Sequence, residues 1–233
     1  MVITDLLERN ARFKGSEIAL VEVNPSEERD SAVTWREASL IESANAGTPY
    51  RREMSWKSFD RRANRFANLL LSRGFKRGTK VAILLMNSLE WLPLYFGILK
   101  AGCIAVPMNF RYSSDEIKYC LELADCEVLI FGKEFIERID SIADNIPDVK
   151  TMFYVGKDCP SYSEDCCAMM NYCSSEAPPV MLTEDDYAAI YFSSGTTGFP
   201  KAILHNHKAL ISSCKTEQNH HGQTENDVFL CIP

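Results

Sequence analysis

Residues 193–201 read Ser-Ser-Gly-Thr-Thr-Gly-Phe-Pro-Lys, and their types could hold a phosphate group. Gly195 and Gly198 permit positive φ and let an anion approach the backbone closely. Amides freed by such turns converge on one anion, and Ser193, Ser194, Thr196 and Thr197 add hydroxyl donors. Lys201 supplies a mobile positive charge on a flexible stem, able to follow terminal phosphates. A Gly/Ser linker would be built from the same small residues, but linkers run between polar flanks. Here the flanks are "YAAIYF" and "KAILH", both strand-like, so the stretch reads as a turn between two strands. It also differs from the common triphosphatase loop, which has four residues between its glycines and Lys-Ser/Thr directly after the second. In this chain two residues separate the glycines, and Phe199 and Pro200 precede the lysine. The next helix is expected to open at Asn206, a good N-cap, beyond the second strand. That distance leaves amides, hydroxyls and Lys201 to do the holding, without a helix dipole.

Other residues with chemical potential read more plainly. His205 falls at the end of a strand and His207 in the first turn of a helix, so neither is expected to act as an acid or base. The pair His220 and His221 reads as a solvated helix end. Cys159, Cys166, Cys167 and Cys173 cluster in sequence but lack the CxxC pairs that place two thiolates on one zinc ion, so no metal site is expected.

A formal charge of −7 and the absence of any Lys/Arg run argue against a nucleic-acid or anionic-membrane surface. With 46% hydrophobic residues the chain of 233 can bury a substantial core. Nine cysteines, an odd number and several in apolar surroundings, fit reduced thiols and a cytoplasmic location. The start, "MVITDLLERNARFKG", has early acids and no long apolar run, so it does not read as a signal peptide. No transmembrane segment is expected: the most apolar stretch, residues 91–108, is broken by Pro93, Lys100 and Pro107 and is shorter than the ~20 residues needed to cross a bilayer.

The elements that must position the loop follow from periodicity. Ser55 caps a helix whose Trp56, Phe59, Ala63, Phe66 and Leu70 recur at three- and four-residue intervals until Gly74. "KVAILLM" is a strand covered on both faces. A helix from Ser88 to Gly102, a strand "CIAV", a helix "DEIKYCLELA" capped by Ser114, a strand "EVLIF", a helix over 134–144 and a strand "TMFYV" follow. This alternation predicts an α/β fold: a doubly wound, mostly parallel sheet flanked by helices, with ligands beyond the carboxyl ends of its strands. Residues 1–54 form a lead-in with a polar insertion or mobile segment at 24–53, and 55–155 an α/β block. Residues 156–185 form a long connection, and 186–233 carry the phosphate loop at the start of a second subdomain.

The nonapeptide resembles, position by position, the phosphate-loop signature of the adenylate-forming (AMP-binding) superfamily, which includes acyl-CoA synthetases, aryl-CoA ligases, luciferases and peptide-synthetase adenylation domains. Asp185 and Asp186 before "YAAIYF", and His207 after it, are similar to that family too; Ala202 stands where its members usually carry glycine. The stretch from "MSWKSFDRRANRFANLLL" through "PMNFRYSSDEIKYCLELADCEVLIF" resembles the N-terminal block of the acyl-CoA synthetase branch, "PMNFRYSSDEI" being closer to fatty- or aryl-acid ligases than to amino-acid adenylation domains.

The resemblance implies part of the large N-terminal domain of an ATP-dependent acid:CoA ligase. In such an enzyme a fatty or aromatic carboxylate attacks the α-phosphate of ATP, giving acyl-AMP and pyrophosphate, and the thiol of CoA then displaces AMP. Mg2+ and donors that hold the leaving pyrophosphate are implied with it. Thr196, Thr197, Gly198 and Lys201 are the implied holding residues, with Ser193, Ser194 and Gly195 shaping the loop. The chain is shorter than such ligases, so by itself it is expected to be an inactive N-terminal fragment without a catalytic residue. An enzyme that loads the acid onto a carrier protein is an alternative. Another is a non-catalytic module that associates through the surface the missing part would cover.

Overall fold

The computed structural model describes residues 1–23, 39–41, 51–194 and 200–231. Helix α1 (Ile3–Phe13) leads into β1 (Ile18–Val23), β2 (Ser39–Ile41) and β3 (Arg51–Ser55), a three-stranded antiparallel sheet in the order β1-β3-β2. Strands β2 and β3 thus fall largely within the segment expected to be a polar insertion or mobile lead-in; the rest of that segment, 24–38 and 42–50, lies outside the described residues.

Helix α2 (Trp56–Ser72) begins where the sequence places it, the Ser55 hydroxyl accepting the Ser58 amide at 3.2 Å. Gly74 follows its end at φ +82°, a conformation that suits a residue without a side chain. Strand β4 (Lys80–Leu84), helix α3 (Trp91–Lys100), strand β5 (Ile104–Pro107), helix α4 (Ser114–Leu123) and strand β6 (Cys126–Gly132) then alternate as expected. One cap differs. Ser113, not Ser114, accepts the Glu116 amide at 3.3 Å, and the Glu116 carboxylate returns to the Ser113 amide at 2.8 Å. The reciprocal bond needs the S-x-x-E spacing, and only Ser113 has it.

The helix expected over 134–144 is broken into a 3-10 turn at Lys133–Phe135, α5 (Ile136–Asp140) and a second 3-10 turn at Ala143–Asn145. After β7 (Thr151–Val155), the connection 156–185 contains two short elements that its polar composition hid, β8 (Glu164–Asp165) and α6 (Cys166–Asn171). Helix α6 is capped by Asp165, whose carboxylate accepts the Ala168 amide at 2.9 Å, and it buries Cys166, Cys167 and Met170. Last come β9 (Tyr187–Ser194), β10 (Pro200–Asn206) and α7 (His207–His221).

The large sheet has the order β10-β9-β5-β4-β6-β7-β8, and every neighbouring pair is parallel except the edge pair β10–β9. Alternation along the central strands splits the core in two. Val81, Ile83, Val128 and Ile130 pack with α2 and α3 through Phe66, Leu70, Leu94 and Ile98. Ala82, Leu84, Leu129 and Phe131 face the other way, onto Ile117 and Leu121 of α4. The sheet is therefore doubly wound, as the continuous apolar strands imply. Gly97 lets α3 lie close on α2: a Cβ there would meet the Ala63 carbonyl oxygen at 2.8 Å.

The small sheet is fastened to this core by charge. Arg52 of β3 pairs with Glu90 ahead of α3 and with Glu22 of β1, the latter at 3.2 Å, and Arg52 and Glu90 are both buried. Buried guanidinium and carboxylate are held this way only as partners, because either alone would be stranded away from water.

Candidate phosphate-binding hairpin

Strands β9 and β10 form an antiparallel hairpin, Ser194 opposite Pro200 and Ser193 opposite Lys201. The nonapeptide thus begins on one strand and ends on the other. Strand β9 runs parallel to β5, so the turn emerges at the carboxyl ends of the parallel strands, where ligands bind in open α/β sheets. Gly195, Thr196, Thr197 and Gly198 lie outside the described residues, as do Phe199 and the side chain of Ser194. Of the expected site residues, Ser193 is half-buried at the end of β9 and Lys201 is exposed at the start of β10. No described carboxylate forms an ion pair with Lys201.

Small residues let β9 enter the sheet: Ala188 and Ala189 are fully buried, and Ala189 stands beside Ala105 of β5. Above them Tyr191 reaches α3, its hydroxyl 2.8 Å from that of Tyr95. Burial pushes the pKa of both phenols up, so they meet as neutral groups. The His205 ring sits 5.6 Å from the ring of Tyr191, on the face that also carries Ser193 and Lys201 by register.

The base of the hairpin is fixed separately. The Asp186 carboxylate accepts from the Thr183 amide at 2.6 Å, the Thr183 hydroxyl at 3.0 Å and Arg77 at 2.6 Å. Burial pushes its pKa up, but these hydrogen bonds outweigh burial and hold it below the ordinary value. Its backbone oxygen accepts the His207 amide at 3.0 Å, and Asn206 caps α7 by accepting the Ala209 amide at 2.8 Å. The Asn206 cap was legible in the sequence. The Tyr95–Tyr191 and Arg77–Asp186 pairs join residues far apart in the chain; the one sequence signal for the first was that Tyr95 and Tyr191 lie among apolar neighbours, each needing a partner for its hydroxyl.

The histidines and cysteines lie among the described residues. His205 is in β10, His207 opens α7, and His220 and His221 are exposed at its end. Cys166 and Cys167 are buried thiols whose pKa burial pushes up, to about 12 for Cys166. Among the described residues no group of three or more His, Cys, Asp or Glu side chains could hold a metal ion. No helix among them is long and apolar enough to cross a membrane.

The family model for AMP-binding enzymes matches residues 21–233, nearly the whole chain. This chain belongs to the AMP-binding enzyme family. Within that family it is 32% identical over 162 residues to a medium/long-chain-fatty-acid–CoA/3-oxocholest-4-en-26-oate–CoA ligase of Mycolicibacterium smegmatis, covering 67% of this chain and 29% of that enzyme. It is 28% identical over 174 residues to a 3-hydroxybenzoate–CoA/4-hydroxybenzoate–CoA ligase of Thauera aromatica, covering 73% of this chain and 33% of the relative. Among solved AMP-binding structures, the anthranilate CoA ligase AuaEII in complex with anthranoyl-AMP superposes with a TM-score of 0.74 at 27% identity, covering 89% of this chain and 35% of that one. The chain thus spans about a third of the length of the curated relatives it matches.

Proposed function

We infer that this chain is the N-terminal part of an ATP-dependent acid:CoA ligase, which activates a fatty or aromatic carboxylic acid as acyl-AMP with release of pyrophosphate and then forms the CoA thioester. The observation that carries this reading is the β9–β10 hairpin, which sets Ser193 opposite an exposed Lys201 at the carboxyl end of the parallel strands. The family and the acid:CoA ligases among its relatives supply the chemistry.

Attack of a carboxylate on the α-phosphate brings two anions together, so the step depends on groups that neutralise and hold the polyphosphate. In this reading Lys201, Thr196, Thr197 and Gly198 hold the β- and γ-phosphates and the departing pyrophosphate, while Ser193, Ser194 and Gly195 shape the turn. Mg2+, which neutralises polyphosphate charge when bound, is assigned no residue of this chain. The contribution of the chain is positioning, which needs no proton transfer from His205 or His207.

The test is a panel of fatty and aromatic acids given to the whole protein with ATP, magnesium and CoA, read first as pyrophosphate release and then as thioester. Release of pyrophosphate and thioester with at least one acid is expected; no thioester with any acid would sink the ligase reading. Release without thioester would point to a carrier protein as acceptor. The 233 residues alone are expected to catalyse neither step. Turnover by this chain alone would refute the division of the site between it and the rest of the protein.

A further inference from the structure

His207 stands at the meeting of three elements with its side chain only 1% exposed. Its Nδ1 accepts the Ile3 amide at the start of α1, at 3.5 Å, and its own amide donates to the Asp186 oxygen below the hairpin. An imidazole nitrogen accepts only while it carries no proton. Protonation would turn Nδ1 into a donor facing the Ile3 N–H. It would also place a cation in the first turn of α7 and beside that of α1, both positive dipole ends.

We propose that α1 is an acid-released latch, docked on α7 while His207 is neutral and freed when His207 takes a proton.

The charges around the imidazole bear on this in both directions. Asp5 of α1 and Asp186 of the turn before β9 favour the imidazolium, but both are already engaged, Asp5 by the Val2 amide at 2.9 Å and Asp186 by Arg77 and Thr183. Glu184 in the same turn pairs with the Met1 amino group at 3.6 Å, and Lys208 adds a positive charge next to His207 on α7. Burial is the largest influence and lowers the pKa of His207 below its ordinary 6.5, with Asp186 and Asp5 opposing it in part. The docked state therefore binds the proton less well than the released one. Docking is at full strength above the ordinary value of 6.5 and weakens as pH falls from there through the lower docked value.

Release must also break the rest of the α1 contact: Leu7 is buried in a cluster with Met54, Phe59 and Ala63, and Glu8 bonds Lys100 at the end of α3 at 2.7 Å. Lys100, 3% exposed, also pairs with Asp60 of α2 at 2.9 Å, so it keeps a partner when α1 leaves. Release would bare the start of α7, which follows directly on β10 and so on the strand that carries Lys201.

Hydrogen exchange of residues 3–13, corrected for intrinsic rates, tests this at about pH 7.5 and about pH 5.5. Opening of α1 should rise on acidification by up to about tenfold per pH unit, as uptake of one proton allows, while α2 stays protected. In His207→Asn, whose Oδ1 accepts the Ile3 amide without titrating, the rise should vanish. Opening of α1 in the unaltered protein that ignores pH, or an equal rise in the Asn variant, would overturn the latch. Should the variant fail to fold, the imidazole resonance of His207 in the unaltered protein decides. Titration below the ordinary histidine range together with loss of α1 protection supports the latch, and titration with that protection intact refutes it. Exchange reads α1 docking with no assay of ligase activity, so the two proposals fail separately.

Discussion

Strands β4 and β10 belong to one sheet, and water treats them oppositely. Val81, Ala82, Ile83 and Leu84 of β4 are fully buried between two helical layers, whereas residues 201–204 of β10 are all exposed, Ile203 and Leu204 at 44% each. The buried strand contributes to the core on both of its faces. The exposed strand contributes less burial and carries the lysine. Under the proposed function, stability and chemistry are separated across the width of one sheet, as expected where a rigid scaffold presents a functional loop.

That separation can be broken by equivalent truncations on its two sides. Phe66, fully buried and edge-on to Phe153 at 6.0 Å, should cost about 4 kcal/mol when changed to alanine, read as a drop in the urea midpoint. Gly97→Ala should cost about 2 kcal/mol by the same measurement, because the new methyl meets the Ala63 carbonyl and has no free space. A stable Gly97→Ala protein would mean that α2 and α3 can part without penalty. Ile203→Ala, a truncation on the edge strand opposite Tyr191, should cost under ~1 kcal/mol. If Ile203→Ala proved as damaging as Phe66→Ala, the edge would be part of the core and the contrast would fail.

The same contrast explains what the sequence disclosed. Uninterrupted apolar runs such as "KVAILLM" and the helical spacing of Phe59, Ala63, Phe66 and Leu70 announced the parallel sheet and α2, because burial on both faces leaves a continuous pattern. Short elements in polar surroundings escaped: β8 spans two residues, and α6 is anchored by cysteines and methionines that periodicity does not single out in six residues. Ser113 lost to Ser114 in the reading of α4 because two adjacent serines differ only in the distance to Glu116. At the candidate site, the Asn206 cap was legible because a helix start needs such a residue type, whereas residues 195–199 of the expected loop lie outside the described residues. The supports, Tyr95 under Tyr191 and Arg77 on Asp186, were hidden because each joins segments roughly a hundred residues apart, where no local spacing rule reaches.

The most direct test of the account is Lys201→Ala in the whole protein, followed as acyl-adenylate formation beside thermal stability. Lys201 is exposed and without an ion-pair partner among the described residues, so its loss should leave the melting temperature unchanged. Loss of a charge that holds the polyphosphate should slow adenylation by about a hundredfold. An unchanged adenylation rate would contradict the central claim, because the hairpin would then present its lysine to something other than the phosphates of ATP.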